Sequence, residues 1–390
     1  MASPLQRLRD DERGMSFVFV GVGFFAFLAA TTLAIDVGMF MTARSQAQNS
    51  ADAGAHAGAV ALVRNSFTDR TASGPVVTSA VNSARANQVM GQVVSVGPAD
   101  VEFPTDPKGQ ADRVKVTVYR TSAKGNAVPT LIGNLFGVNT VDIVATATGE
   151  AAPANAMTCV KPFMIPDKWI ENVDSKGTPD APWTPDKTFD MYDNKGNLIP
   201  NNDVYIGADQ NGYTGYTVAN DVGKTLVLRA GTGGNINPSF YYSWKMPGDI
   251  GGNFYRDNIA HCNQATILWG TQIIQEPGDM SGPTIQGIQD LIDQDLGAQW
   301  DSSCNCVTGS KFSTSPRVFP IPLYDPAFYA AGKANGRTAD YRIANFLGFF
   351  ADHINGNQIY GTITNIVGMV SDQAAEAPAG VFPRAIRLVQ

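Results

Sequence analysis

The stretch that decides the fold covers residues 14–59, which read GMSFVFVGVGFFAFLAATTLAIDVGMFMTARSQAQNSADAGAHAGA. No charged side chain occurs from Gly14 to Ile35, and this run is rich in phenylalanine and valine. About 20 apolar residues are enough to cross the hydrocarbon core of a bilayer. The sequence therefore predicts a transmembrane helix at residues 15–35 that continues into an alanine-rich helix at residues 36–64.

Eleven large apolar side chains in the predicted span favour insertion. Each adds about −0.3 to −0.6 kcal/mol on an insertion scale, which sums to about −3 to −7 kcal/mol. Arg7, Arg9 and Arg13 precede the span, whereas the next basic residues after it are Arg44 and Arg64. Because basic residues stay on the cytoplasmic side, residues 1–14 are expected in the cytoplasm. The rest of the chain is expected outside the cytoplasmic membrane, after a single span.

A cleaved secretory signal is the alternative for this segment. Thr32 and Ala34 are small enough to resemble a signal-peptidase site before Ile35. Signal cores usually hold about 7 to 15 apolar residues, and the run here is longer. We therefore expect an anchor that stays attached, and both alternatives put the bulk of the chain outside the cytoplasm.

The alanine-rich helix presents one face of small residues, which we call the small-residue face. It consists of Ala47, Ala51, Gly54, Ala55 and Gly58. These positions share one side of the helix because residues three and four apart are neighbours there. Such a face buries little apolar area but lets another backbone approach closely. Two alternatives follow, namely contact with a partner protein or packing against the chain's own globular part.

The remaining residues are expected to form an α+β arrangement. At 390 residues the chain has room for two or three domains. Residues 65–150 predict a small α+β unit, with helices at 75–89 and 128–136 and strands at 93–96, 101–103, 113–119 and 140–148. Residues 151–390 predict a mostly β, loop-rich domain, with one helix from Ser281 to Gly297 and strands at 317–323, 341–350, 358–367 and 381–389.

Four cysteines follow the span, namely Cys159, Cys262, Cys304 and Cys306. An oxidising compartment would let them form two disulfides. Three pairings are possible. A bridge between Cys304 and Cys306 closes a very small ring, so we expect these two to pair separately with Cys159 and Cys262. The spacing within His261-Cys262 and Cys304-x-Cys306 is not that of zinc-ligand pairs, so no metal is expected.

The composition and motifs argue against several functions. The net charge is −7 and lysines and arginines do not cluster, which argues against nucleic acid as a partner. The sequence contains neither a G-x-S-x-G motif, nor H-E-x-x-H, nor a phosphate loop, and only three histidines. We therefore expect no catalytic residues, no cofactor and no enzymatic activity.

Three short motifs carry a resemblance to a known family, together with Arg44 between the second and the third. They are residues 12–14 (ERG), residues 33–38 (LAIDVG) and residues 48–55 (QNSADAGA). In this order they resemble the anchor region of TadG-like proteins of the Tad (tight adherence, Flp) pilus-assembly group, over residues 12–64. More loosely, residues 282–284 (GPT) and 315–317 (SPR) resemble the exported part of some members.

The resemblance implies a role in the envelope machinery that builds type IVb pili for adherence and biofilm formation. It implies a bacterial inner-membrane protein with a periplasmic C-terminal domain. The expected partners are the lipid bilayer and other Tad pilus-assembly proteins, which would be contacted through the small-residue face.

Two departures from the family limit what the resemblance implies. Pilin-like relatives keep a glutamate five residues after the processing glycine, whereas this chain has Phe19 five residues after Gly14. The chain also lacks the D-x-S-x-S motif of metal-dependent adhesion domains. Two alternatives to an assembly component stay open: a minor pseudopilin incorporated in the fibre, and a membrane-tethered periplasmic binding protein or enzyme.

Overall fold

The computed structural model describes residues 12–65, 67, 69–180, 182–231, 234–334 and 340–389. Arg7 and Arg9 of the predicted cytoplasmic segment lie outside the described residues. The described chain forms two compact units. Unit 1 lies within Met1–Gly58, Arg70–Gly149 and Leu388–Gln390, and unit 2 within Ala59–Asp69 and Glu150–Arg387.

Helix α1 spans Glu12–Arg64, which is 53 residues without a break. Its sequence contains no proline, and its many alanines favour the helical state. At 1.5 Å per residue it is about 80 Å long. Among the described residues it is the one helix long and apolar enough to span a membrane. The predicted apolar helix that continues into an alanine-rich helix is confirmed.

Unit 1 adds one further helix and short strands to α1. They are α2 (Pro75–Ala86), β1 (Val101–Glu102), β2 (Arg113–Arg120), β3 (Val128–Pro129), β4 (Thr140–Val141) and β5 (Ile143–Pro153). In β2 every second residue is buried, including Val114, Val116 and Val118, as the alternating sequence predicts. β1 pairs antiparallel with β2, and β3 pairs antiparallel with β4.

Two predicted elements of unit 1 are wrong. Residues 93–96 form no strand, and Ser95 makes only an isolated bridge with Tyr119. Residues 128–136 do not form a helix but contain β3 followed by a short 3-10 turn, Gly133–Phe136. Pro129 cannot donate an amide hydrogen bond, and Gly137, at φ +83°, ends the turn in the left-handed region. The apolar pattern there belongs to a hairpin loop.

Unit 2 contains most of the strands. They are β6 (Ala156–Met157), β7 (Phe163–Pro166), β8 (Thr225–Ala230), β9 (Phe240–Ser243), β10 (Ile267–Leu268), β11 (Gln272–Ile274), β12 (Gln299–Asp301), β13 (Cys306–Thr308), β14 (Val318–Tyr324), β15 (Asp340–Asn355), β16 (Gln358–Ile363) and β17 (Arg384–Val389). The helices are α3 (Val218–Asp221), α4 (Gly252–Ala260), α5 (Ser281–Gln294) and α6 (Pro326–Ala334). The predicted mostly β, loop-rich character is confirmed. The predicted helix from Ser281 ends at Gln294, and α3, α4 and α6 were not predicted.

The largest sheet closes into a barrel. Its strands follow the order β11-β15-β14-β7-β9-β8-β16, and β15 also pairs with β16. β15 can pair with three strands, namely β11, β14 and β16, because it is 16 residues long. Its residues 343–350 pair with β14 and its residues 349–355 with β16. Aromatic side chains fill the core, including Phe163, Trp244, Phe319, Tyr341 and Phe349. In unit 1, β2 lies between β1 and β5 in a separate sheet.

All four cysteines form disulfides, but not in the expected pairing. The bridges are Cys159–Cys262 and Cys304–Cys306, with Cα atoms 4.4 Å and 5.2 Å apart. The small ring that we considered unfavourable therefore forms. Asn305, between the two cysteines, takes φ +50°, and this left-handed conformation lets the chain turn inside the ring. The ring lies at the end of the hairpin formed by β12 and β13.

Candidate interaction site on the N-terminal helix

The first part of α1 exposes large apolar side chains on all sides. They are Phe17, Val18, Phe19, Val20, Val22, Phe24, Phe25, Phe27, Leu28, Leu33 and Ile35. Phe25, for example, is 72% exposed. Burying a side chain of this kind is worth about 1.5 to 3 kcal/mol, so leaving all eleven in water forgoes about 15 to 30 kcal/mol. A surface of this size calls for an apolar environment, and its length suits a bilayer core.

Asp36 directly follows the last of these residues and is buried. Its Oδ1 accepts a 2.9 Å hydrogen bond from the Leu131 amide, and its Oδ2 a 2.7 Å bond from the Gly133 amide. The Ile132 amide contacts both oxygens at 3.2 to 3.3 Å. These amides stand at the start of the turn Gly133–Phe136, where backbone donors lack partners within the turn. Asp36 thus caps this turn from α1.

The small-residue face lies against α2 and β2 of the same unit. Ala47, Ala51 and Ala55 are at most 1% exposed, and Gly54 and Gly58 are buried. The structure therefore brings all five predicted residues together on one covered side of α1. Of the two alternatives for this face, packing against the chain's own globular part is the one found among the described residues.

The glycines of this face sit where a side chain has no room. A Cβ atom built at Gly54 would lie 3.0 Å from the Ala84 Cβ and 3.2 Å from Cγ1 of Val116. One built at Gly58 would lie 2.7 Å from Cγ1 of Val114. Glycine permits this close approach between helix and strand. A partner protein would have to contact another side of α1.

Polar side chains beside the small-residue face form hydrogen bonds that connect α1 to the rest of unit 1. Gln46 Oε1 accepts a 2.8 Å hydrogen bond from the Met90 amide. Gln48 donates to the Thr146 carbonyl at 3.2 Å and to Asp52 Oδ1 at 2.9 Å. Gln48 and Asp52 both belong to the QNSADAGA motif, so this motif combines close packing with hydrogen bonds. Another side of α1 presents the exposed residues Ser45, Asn49 and His56.

Unit 2 contains a buried carboxylate that the sequence analysis missed. Asp167 is fully buried, and its Oδ2 accepts hydrogen bonds from the hydroxyls of Tyr205 at 3.0 Å and Tyr213 at 2.7 Å. Its Oδ1 accepts bonds from the amides of Lys168 and Tyr216. Burial raises the pKa of Asp167 to about 6. The bonds from Tyr205, Tyr213 and Tyr216 connect Asp167 to residues 38 to 49 positions further along the chain, which fits a structural role. The only sequence signal was its place directly after the apolar strand β7.

A cleft in unit 2 is too small for a typical organic ligand. Its volume is about 200 Å³, and its lining residues are Tyr205, Gly207, Ala208, Asp209, Trp269, Gly270, Arg342, Ile343 and Ala344. Ligand pockets commonly measure about 300 to 1,000 Å³. Because every cysteine among the described residues is in a disulfide, none is a free nucleophile. The described part of unit 2 thus gives no specific support to a binding or catalytic role.

The N-terminal segment matches a known family. Residues 14–61 match the Tad family model, described as "Putative Flp pilus-assembly TadE/G-like". The match covers 48 of the 390 residues, all of them on α1. The resemblance predicted for this region is confirmed, whereas the looser resemblance of residues 282–284 and 315–317 stays a prediction. No curated protein and no solved structure matches the chain. The family match supports a role associated with a Tad pilus.

Proposed function

We propose that this chain is a membrane-anchored structural or assembly component of a Tad (Flp, type IVb) pilus that serves adherence and biofilm formation. The observation that carries the proposal is the coincidence of the family match with α1. The matched residues include the exposed apolar segment and the small-residue face that is packed in unit 1. The family region thus contains both a membrane anchor and its rigid joint to a folded unit. In this role the chain is not an enzyme.

The proposed location is the bacterial inner membrane, crossed once by residues 15–35. The N-terminus is cytoplasmic and both folded units are periplasmic. The arginines before the span, Arg7, Arg9 and Arg13, support this orientation. The two disulfides support an oxidising compartment for unit 2.

The proposed partners are the lipid bilayer and other Tad pilus-assembly proteins. We expected these proteins to contact the small-residue face, but α2 and β2 cover it in unit 1. The side of α1 with Ser45, Asn49 and His56 is exposed in unit 1 and is therefore available to another protein. Partner contact is therefore assigned to that side of the helix.

A deletion strain tests the proposed role. We expect a strain without this chain to lack normal pili and to adhere poorly, with both properties restored by the full-length chain. A matched variant replaces residues 1–35 with a cleavable secretion signal, so that the folded units are exported but not anchored. We expect this variant not to restore pili. Normal piliation and adherence of the deletion strain would overturn the proposal.

N-terminal sequencing separates this role from that of a minor pseudopilin. The chain should be recovered from the membrane fraction with an N-terminus upstream of Met15. Recovery from sheared pili with Met15 as the first residue would instead support incorporation in the fibre.

A further inference from the structure

The hairpin loop at residues 130–139, between β3 and β4, is apolar and partly exposed; we call it the interfacial loop. Its sequence is TLIGNLFGVN, and no charged side chain occurs from residue 125 to residue 141. Leu131 is 63% exposed and Val138 is 51% exposed. Large apolar side chains on an uncharged loop are costly to leave in water, so their placement needs an explanation.

The interfacial loop is held at the end of the membrane span. The carboxylate of Asp36 binds the amides of Leu131, Ile132 and Gly133. Asp36 comes directly after Ile35, the last residue of the apolar run, and so lies about 1.5 Å further along the helix axis. The polar layer outside the hydrocarbon core is about 5 to 7 Å thick on each side. With residues 15–35 in the core, the start of the loop falls in that layer.

Several backbone polar groups of the interfacial loop already have hydrogen-bond partners within the protein. The Thr130 amide donates a 3.0 Å hydrogen bond to the Asn139 carbonyl, and the Thr130 hydroxyl donates to the Val138 carbonyl at 2.6 Å. The Val138 amide donates to the Gly133 carbonyl at 3.0 Å. Unpaired backbone groups are what make an irregular loop expensive near lipid. The bonds within the loop, together with Asp36, lower that cost.

We infer that the interfacial loop is a second membrane contact, which inserts Leu131 and Val138 into the boundary between lipid headgroups and acyl chains. The occupant of this surface is the same bilayer that holds α1, because the loop is bonded to the helix where the span ends. Amphipathic helices that lie on membranes bury their apolar side chains at this same boundary. Together with α1, the loop fixes unit 1 to the membrane at two points. This inference rests on the proposed membrane anchor.

Spin-label accessibility in liposomes tests the inference. The native cysteines are all in disulfides, so a single introduced cysteine is the labelling site. The full-length variants Leu131→Cys, Val138→Cys, Phe25→Cys and Thr78→Cys are labelled with a nitroxide and reconstituted in phosphatidylethanolamine and phosphatidylglycerol vesicles. Oxygen concentrates in lipid, whereas a nickel chelate stays in water. The ratio of their collision rates with the spin label, oxygen to nickel, therefore reports the depth of the label in the membrane. Thr78, which is exposed in α2, is the control because it lies far from the predicted span. Its neighbour Ala80 packs at Gly58, and Gly58 is about 33 Å along α1 from Asp36.

We expect the oxygen-to-nickel ratio to exceed one at Phe25, Leu131 and Val138 and to fall below one at Thr78. If Phe25 is in lipid but Leu131 and Val138 are in water, the inference is overturned and the proposed anchor stands. If Phe25 is also in water, the anchor itself fails. A label at Leu131 that is shielded from both reagents would reveal a protein contact there, which also overturns the inference.

The role of Asp36 in holding the interfacial loop against α1 is tested in the same vesicles. Asp36→Ala in the Leu131→Cys background removes the carboxylate that holds the loop. We expect the label to become more mobile and its ratio to move towards the value at Thr78. Asp36→Asn keeps one oxygen acceptor, so we expect the label at position 131 to have a higher oxygen-to-nickel ratio than in Asp36→Ala. If Asp36→Ala does not yield folded protein, the measurements at Leu131 and Val138 in the otherwise unchanged chain still decide the inference.

Discussion

The hydroxyl of Ser50 donates a 2.8 Å hydrogen bond to the carbonyl oxygen of Ala84, which lies 34 residues further along the chain. Ser83 donates in the opposite direction, to the Ala53 carbonyl at 3.1 Å. Ser50 and Ala53 belong to α1, whereas Ser83 and Ala84 belong to α2. Reciprocal bonds of this kind require two helix backbones to come close, which the glycine at position 54 allows. Helix α1 is therefore part of the core of unit 1.

Enlarging Gly58 should destabilise unit 1. Gly58→Val adds a side chain whose Cβ would overlap Cγ1 of Val114, 2.7 Å away, and crowd Ala80. Overpacking of a tight interface typically costs about 1 to 3 kcal/mol, and we expect the upper end because both backbones are fixed. Thermal unfolding of the detergent-solubilised full chain measures this loss. Gly38→Val is the matched control, because nothing lies within 4 Å of a Cβ there. Equal shifts for the two variants would contradict the packing described here.

The two disulfides should differ in their contribution to stability. Cys159–Cys262 closes a loop with a sequence separation of 103, and Cys304–Cys306 one with a separation of 2. In the chain-entropy account these correspond to about 4.7 and about 1.6 kcal/mol. We expect the double serine variant at Cys159 and Cys262 to unfold at much lower temperature than the one at Cys304 and Cys306. The prediction fails if removal of the small ring costs as much as removal of the long-range bridge.

Asp167 should make the stability of unit 2 depend on pH. Burial raises its folded-state pKa from 3.8 to about 6, so the folded protein binds this proton more tightly than the unfolded chain. The resulting stabilisation is fully present below about pH 4 and is lost as pH rises through 6. Because the folded-state pKa lies about two above the unfolded-state pKa, protonation of Asp167 at low pH adds about 3 kcal/mol to the free energy of unfolding.

The Asp167 prediction is measured by urea unfolding at pH 4 and pH 7, with Asp167→Asn as the comparison. Asparagine keeps one acceptor oxygen for the amides of Lys168 and Tyr216 but does not titrate. The free energy of unfolding of the native protein, relative to that of the variant, should fall by about 2 kcal/mol over this pH range. A difference that stays constant with pH would contradict the raised pKa.

Arg317 should be one of the most sensitive positions of the barrel. It is 3% exposed, and its guanidinium donates to the backbone carbonyls of Asp295, Ala298, Ala351 and Asp352. Arg317→Met leaves these four acceptors without that donor, and breaking a buried charged network typically costs about 3 to 5 kcal/mol. We expect a loss of this size in denaturant unfolding of the full chain.

Arg229→Met is the matched control for Arg317→Met. Arg229 is exposed on β8 and stacks over the ring of Phe240, 4.7 Å from its centroid. Removing an exposed cation–π contact should cost no more than about 1 kcal/mol. Comparable losses for the two variants would show that burial and the four carbonyl contacts of Arg317 do not determine its contribution.

The features that the sequence predicted depend on local patterns. The uncharged run before Asp36 and the regular alanines after it are properties of one helix, so α1 could be predicted from them. The alternation of Val114, Val116 and Val118 likewise predicted β2 and its buried face. In these cases the side chains that determine the element are only two to four residues apart.

The features that the sequence did not predict depend on partners that are distant along the chain. The amides that bind Asp36 lie 95 to 97 residues away along the chain, so the sequence around Asp36 gives no signal of the capped turn. The barrel closes because β15 pairs with both β14 and β16, and a pattern within β15 cannot specify two neighbours. The ring at Cys304 and Cys306 was rejected on size, although the left-handed conformation of Asn305 accommodates it.

Helix α1 enters the folded unit without a hinge. A proline between Ile35 and Gly54 would kink or break the helix, but the backbone there is continuous helix. In the proposed membrane-anchored role, a force on unit 1 would be transmitted to the lipid-embedded segment through one continuous helix. Under that proposal the helix would fix the angle between unit 1 and the membrane, which a flexible linker would not do.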